Sequence, residues 1–157
     1  MSAAPHLVRL FGFRVDATFS LFAGDPPHTS IDLSKATRLQ DIEFWCGQLR
    51  AKWVTMTLRT VTSKHKDLQK IFIHIYHRFT PDSSGASIRK VVGETTYREW
   101  LDLDRLLVEF WESRSIRPKV KYACASPNES KGAIDGVACL LPEITKRGIA
   151  DLVEYYA

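Results

Sequence analysis

Apolar and polar residues alternate with period two in four stretches of the chain. These are "LVRLFGF" (Leu7 to Phe13), "LQDIEFW" (Leu39 to Trp45), "LQKIFIH" (Leu68 to His74) and "KVKYAC" (Lys119 to Cys124). A two-residue period puts successive side chains on opposite faces of a strand, so each stretch is predicted to be a half-buried strand. In the fourth, Val120, Tyr122 and Cys124 alternate with Lys119, Lys121 and Ala123. Aligned on their leading leucines, the first three share Leu7/Leu39/Leu68, Leu10/Ile42/Ile71 and Gly12/Phe44/Ile73, at spacings of 32 and then 29 residues. Gly12 departs from the pattern where an apolar side chain is expected, which reads as a degenerate first unit.

Between these strands the period changes to that of a helix. In Gln48 to Lys64, Leu49, Trp53, Met56 and Thr57 share a face, with Val54, Leu58 and Val61 beside them. "ATFSLFAG" (Ala17 to Gly24) predicts a shorter helix, closed by Gly24 and the Pro26-Pro27 pair. The longest predicted helix is Thr96 to Arg114, with Tyr97, Trp100, Leu103, Leu107, Phe110 and Trp111 on one broad apolar face. "TPDSSGAS" (Thr80 to Ser87), before it, is turn-rich and reads as a mobile loop. A last helix opens at Ser126 and Pro127, with Glu129 completing a capping box. Its inner stripe is expected to be Ile134, Val137 and Leu141. Pro142 must break or kink it, and Lys146, Arg147 and Gly148 suit its C-terminus. "IADLVEY" is either a closing strand or a short terminal segment.

Alternating strands and helices predict parallel β–α units in one α/β domain covering residues 1–157. The near-constant spacing favours stacked repeats with helices on one face of the sheet. Leu103, Leu106 and Val108 also fit the strand pattern although they lie in a predicted helix, so the even recurrence carries the argument. With Leu10, Ile42, Phe44, Ile71 and Ile73 directed to the core, the other face carries Arg9, Phe11, Phe13, Asp41, Glu43, Trp45, Lys70, Phe72, His74, Tyr76, Lys119 and Lys121. The alternative is a small doubly wound sheet, in which helices cover both faces and these aromatics form a second core layer. Asp41, Glu43, Lys70 and Lys121 weigh against it, because burying unpaired charge is costly.

The totals narrow the class. With 157 residues, 45% of them apolar and 25% charged, the chain is an ordinary globular domain, and no apolar run approaches the ~20 residues of a bilayer span. The N-terminal Met-Ser-Ala-Ala-Pro-His does not read as a signal peptide. Cys46, Cys124 and Cys139 are odd in number and far apart, as expected of reduced, largely buried thiols in a cytoplasmic or nuclear protein. Net charge is +4, with both signs interleaved, so neither a nucleic acid nor a membrane is expected as partner.

Candidate chemistry is sparse. His74 and His77 in "HIYH" stand three apart, on opposite faces of a strand, and do not converge on a metal. The cysteines carry no nucleophile signature, and their default role is packing. Neither Gly-x-Gly-x-x-Gly nor a phosphate-binding Gly-x-x-x-x-Gly-Lys-Ser/Thr occurs, so no cofactor is expected. Glu99, Asp102, Asp104, Glu109 and Glu112 read as a solvated helix face. "SKHK" (Ser63 to Lys66) reads as a basic turn at a helix end.

The strand and helix pattern resembles leucine-rich repeats of the long, irregular kind with a helix in each unit. "GETTYREWLDLDRLLVEFWESRSIRPKVKY", with "CLLPEITKRGIADLVEY" after it, resembles the C-terminal ends of leucine-rich-repeat, F-box-like proteins of mushroom-type fungi. That resemblance implies an open, concave sheet face that holds a target protein, in a substrate receptor of a ubiquitin ligase. "LPEI" (Leu141 to Ile144) echoes the opening of an F-box, but the 13 residues after it are too few for that helical domain. The expectation is a fragment or shortened relative of a longer repeat protein, lacking its F-box. It binds another protein without enzymatic activity and is able to self-associate through an open repeat end. The competing class is a small α/β enzyme whose active site the sequence does not reveal.

Overall fold

The structure, a computed structural model, describes residues 9–14, 31–47, 50–76, 84–124 and 130–156. Along 9–14, and at Trp45, Gly47, Tyr76, Cys124, Tyr155 and Tyr156, it describes the main chain alone. Five strands, β1 (Arg9–Arg14), β2 (Asp41–Gly47), β3 (Lys70–Tyr76), β4 (Lys119–Cys124) and β5 (Asp151–Tyr156), form one sheet in the order β1-β2-β3-β4-β5. Every neighbouring pair is parallel. The segment "IADLVEY" thus contributes a closing strand. The predicted helix at Ala17 to Gly24 lies outside the described residues, as do Ser126, Pro127 and Glu129 of the predicted capping box.

Strand order equal to chain order has a direct consequence. Right-handed crossovers that always step in the same direction deliver their helices to the same side of the sheet. A doubly wound sheet requires the order to reverse at a switch point, and this order does not reverse. The helices are α1 (Lys52–Leu58) between β2 and β3, α2 (Gly85–Val92) and α3 (Glu94–Arg114) between β3 and β4, and α4 (Ser130–Leu140) and α5 (Pro142–Lys146) between β4 and β5. Their apolar faces join the strands' inner positions in one hydrophobic cluster.

Register explains the cluster. Phe44, Ile73, Val120 and Leu152 form one row across four strands, and Cys46, Ile75 and Tyr122 form the next. Phe44, Ile73, Val120, Cys46 and Ile75 are wholly buried, and Tyr122 is nearly so. Each fully buried aliphatic or aromatic side chain contributes about 1.5–3 kcal/mol relative to exposure, so these rows are a principal stabilising feature. From the helices, Val54, Leu58, Trp100, Leu103, Leu107, Val137, Leu140 and Ile144 close over them. Phe44 also meets Trp53 edge-on, with ring centroids 5.4 Å apart.

The 29-residue spacing of β2 and β3 extends into the turns that lead into them. Ala36 N donates to Leu33 O at 2.8 Å and Leu39 N to Ala36 O at 3.0 Å. One unit later, His65 N donates to Thr62 O at 3.0 Å and Leu68 N to His65 O at 3.4 Å. The leading leucines, Leu39 and Leu68, are both buried. The last two units share a different entrance. Ser115 (φ 56°) and Gly148 (φ 63°) each hold a left-handed conformation after a helix, followed by the buried Ile116 and Ile149.

Several sequence expectations require correction. β1 is bulged: Leu10 pairs with Ile42, but Phe13 pairs with Phe44 and Arg14 with Trp45. Phe13 therefore takes the register position expected for Gly12, and Gly12 lies inside the bulge, where a glycine is readily accommodated. Gln48 and Leu49 lie outside the described residues, and over Arg50 to Lys64 the expected helix is confined to Lys52–Leu58. The run Thr60-Val61-Thr62 is β-branched, and the Thr60 hydroxyl bonds main-chain groups instead, accepting from Leu33 N at 2.8 Å and donating to Thr57 O at 2.7 Å. The buried side of α1 is Val54, Thr55, Thr57 and Leu58, while Trp53 and Met56 are half-buried.

Part of the expected loop at Thr80 to Ser87 is helical. Ser84 caps α2, accepting from Ser87 N at 3.3 Å, and Ile88 anchors it to the core. The last helix does break at Pro142, and Val137 and Leu141 of its expected stripe are buried, but Ile134 is not. Ile134 is 39% exposed, and Ala133, Val137 and Leu140 face inward, with Gly132 and Gly136 buried beside them. Asp104, expected on a solvated face, is buried. It accepts from Glu143 N at 2.7 Å and Ile144 N at 3.0 Å, capping α5 from a neighbouring helix.

Candidate functional site

The second face of the sheet is built from the positions that alternate with the buried rows. One row runs Arg9, Asp41, Lys70. The next runs Glu43, Phe72, Lys119, Asp151, and a third runs Arg14, Trp45, His74, Lys121, Val153. Nine of the sequence-predicted face residues thus fall in register on one side: Arg9, Asp41, Glu43, Trp45, Lys70, Phe72, His74, Lys119 and Lys121. Tyr76 follows them at the end of β3. Phe11 lies in the β1 bulge, and Phe13 is in register with the buried row. Arg14, Asp151 and Val153 belong to this face and were not expected there.

Exposure varies across it. Lys70 and Lys119 are exposed, Val153 is 37% exposed, and Asp41, Glu43, Phe72, Lys121 and Asp151 are half-buried. His74 differs: it is 3% exposed, so the expectation that it offers its ring to a partner is revised. It lies on the central strand, with Trp45 and Lys121 in register on either side. Its Nε2 meets Glu43 Oε1. Burial holds its pKa below the usual 6.5, the Glu43 carboxylate opposes that shift, and Lys121 adds to it.

Beside this pair, two lysines converge on one aromatic ring. Lys121 Nζ lies 5.3 Å and Lys119 Nζ 5.9 Å from the Phe72 ring centroid, within cation–π range. Asp151 is held at 2.7 Å by Arg117 Nε. Among the described side chains the result is an aromatic ring, Phe72, flanked by ammonium groups, with carboxylates along its margins.

Other chemistry is thin among the described residues. Cys46 is buried and its thiol is pushed up to about 12 by loss of solvent; burial and Asp135 also push Cys139 up. Neither thiol is poised as a thiolate nucleophile. Among the described residues no group of three or more His, Cys, Asp or Glu is gathered to hold a metal ion, and no helix is long and apolar enough to cross a membrane. His65, expected as part of a basic turn, is buried and structural. Thr62 N donates to its Nδ1 at 3.0 Å, which puts its proton on Nε2, and Nε2 donates to Leu33 O at 2.8 Å. It ties one repeat turn to the preceding one. No family model, curated protein or solved structure matches the chain.

Proposed function

We propose that this chain is a non-enzymatic protein-binding module, a leucine-rich-repeat-like stack whose second sheet face is the contact surface. One observation carries the reading. A parallel sheet in chain order buries one set of alternating positions under helices, and the opposite set presents Phe72 among charged side chains. Aromatics that combine contact area with low side-chain entropy are favoured at interfaces, and interleaved charges set the partner's register. The repeated turns at Leu33–Leu39 and Thr62–Leu68 support the stacked-repeat architecture. The narrower role, the target-holding part of a ubiquitin-ligase substrate receptor without its F-box, rests on the sequence resemblance alone.

The test is comparative capture from a cell extract with three versions of the full chain: unaltered, Phe72→Ser on the sheet face, and Glu109→Lys on the helix face. The reading expects a protein retained by the unaltered chain and the Glu109 variant and lost with Phe72→Ser. Equal retention by all three versions, or loss only with the Glu109 variant, overturns it.

A further inference from the structure

Resting on that reading, we propose that the occupant of the sheet face is an acidic polypeptide segment, extended, with carboxylates at alternate residues, seated on Phe72, Lys119 and Lys121. Among the described side chains, the face carries positive charge that has no ion-pair partner. Its carboxylates are engaged within the chain: Asp151 is paired with Arg117, Asp41 has interactions of its own, and Glu43 meets the neutral His74 ring, which leaves its charge on β2, away from β4. Its lysines are not. Lys70, Lys119 and Lys121 form no ion pair among the described residues, and two of the three ammonium groups crowd a single ring. An exposed cation–π contact is worth only about 0.5–1 kcal/mol, so both ammonium groups retain most of their capacity to attract an anion. His74 adds no positive charge of its own at neutral pH, because burial keeps it unprotonated.

Spacing defines the ligand. Lys119 and Lys121 are alternate residues of β4, about 6.6 Å apart along the strand. An extended segment also places alternate side chains about 6.6 Å apart on one side, so an Asp/Glu-x-Asp/Glu stretch running along β4 stays in step with the two lysine positions. Phe72, in register with Lys119 on the adjacent strand, offers apolar contact beside them. A nucleic acid fits less well. Its charge is continuous and would extend past the lysines toward Asp41 and Glu43 on β2, whereas a two-carboxylate stretch meets only Lys119 and Lys121.

The experiment is fluorescence anisotropy of the full chain with three labelled probes: a peptide alternating Asp and Leu, its Asn-for-Asp counterpart, and a single-stranded oligonucleotide of equal charge. The acidic peptide is expected to bind, weakening with added salt, and the neutral peptide is expected not to bind. Lys119→Glu with Lys121→Glu should weaken binding by at least about tenfold, and the paired Gln variants by less. The off-face Lys64→Glu should change it less than about twofold. Circular dichroism of each variant separates a lost contact from a lost fold, and the Gln pair serves if the Glu pair unfolds. Equal binding of the neutral peptide, tighter binding of the oligonucleotide, or no effect of the paired variants overturns the proposal. If the peptides fail while a protein is still captured through Phe72, the acidic ligand is wrong and the binding face stands. Loss of both removes the face itself.

Discussion

His65 offers a sharp test of how the turn before β3 is joined to the turn before β2. Its imidazole is fully buried, donates to Leu33 O at 2.8 Å and accepts from Thr62 N at 3.0 Å. The equivalent position in the preceding unit is Ala36, with the same main-chain turn, so His65→Ala keeps the turn and removes the ring. Leu33 O keeps its bond from Ala36 N, so the change removes two hydrogen bonds, one to Leu33 O and one from Thr62 N, at a net cost of about 1–3 kcal/mol together. The space left by the ring adds about 1 kcal/mol. The expected loss is about 2–4 kcal/mol, a large share of a typical domain's 5–15 kcal/mol. Urea unfolding followed by tryptophan fluorescence should show a lower midpoint at unchanged slope. His65→Gln, whose amide can still donate toward Leu33 O, should recover part of the loss. A loss below about 1 kcal/mol for Ala, or a Gln variant no better than Ala, refutes the idea that this bond ties the two turns together.

Three other perturbations test the account elsewhere. Asp104→Ala removes both bonds to the start of α5 and should cost about 2–4 kcal/mol by urea unfolding, with Asp104→Asn, which keeps one acceptor, costing less. His74 has its folded pKa held below 6.5, so the unfolded chain binds the extra proton first; its contribution is complete above pH 6.5 and is lost as pH falls toward the folded value. A pH series of unfolding midpoints should show that acid-side decline flattened in His74→Gln. Ser115 holds a left-handed conformation that Gly148 holds in the next unit, so Ser115→Gly should raise stability by about 1 kcal/mol, read as a higher Tm.

The sequence made the period legible, and the period carried most of the fold. Leu39 and Leu68, Ile42 and Ile71, and Phe44 and Ile73 align 29 residues apart, and all six are buried. Periodicity assumes an unbroken register, however, so it could not reveal the β1 bulge that moves Phe13 into line with Phe44. It also assigns a face without a depth: His74 lies on the predicted face, yet its central position leaves it buried against Glu43. On α4 the pattern gave Ile134 the weight of its size, whereas Gly132, Ala133 and Gly136 face inward because small side chains allow the helix to approach closely. Asp104 and His65 were legible only as polar residues. Their partners lie 40 and 32 residues away, and that pairing is tertiary. The contribution of β5 to the face had a visible signal in the alternation of Asp151 and Val153, which the short length of the segment obscured.

The central claim is that the sheet face opposite the helices is the working surface. The most direct measurement places a photo-crosslinking amino acid singly at Phe72, Lys119 and Val153 on that face, and at Val91 and Ser113 on the helix side, in otherwise unaltered chains exposed to cell extract. Mass spectrometry then identifies what each position captures. The account predicts one common protein crosslinked from the three sheet positions and absent from the two helix positions. The same protein captured from Val91 or Ser113, with the sheet positions silent, would contradict it.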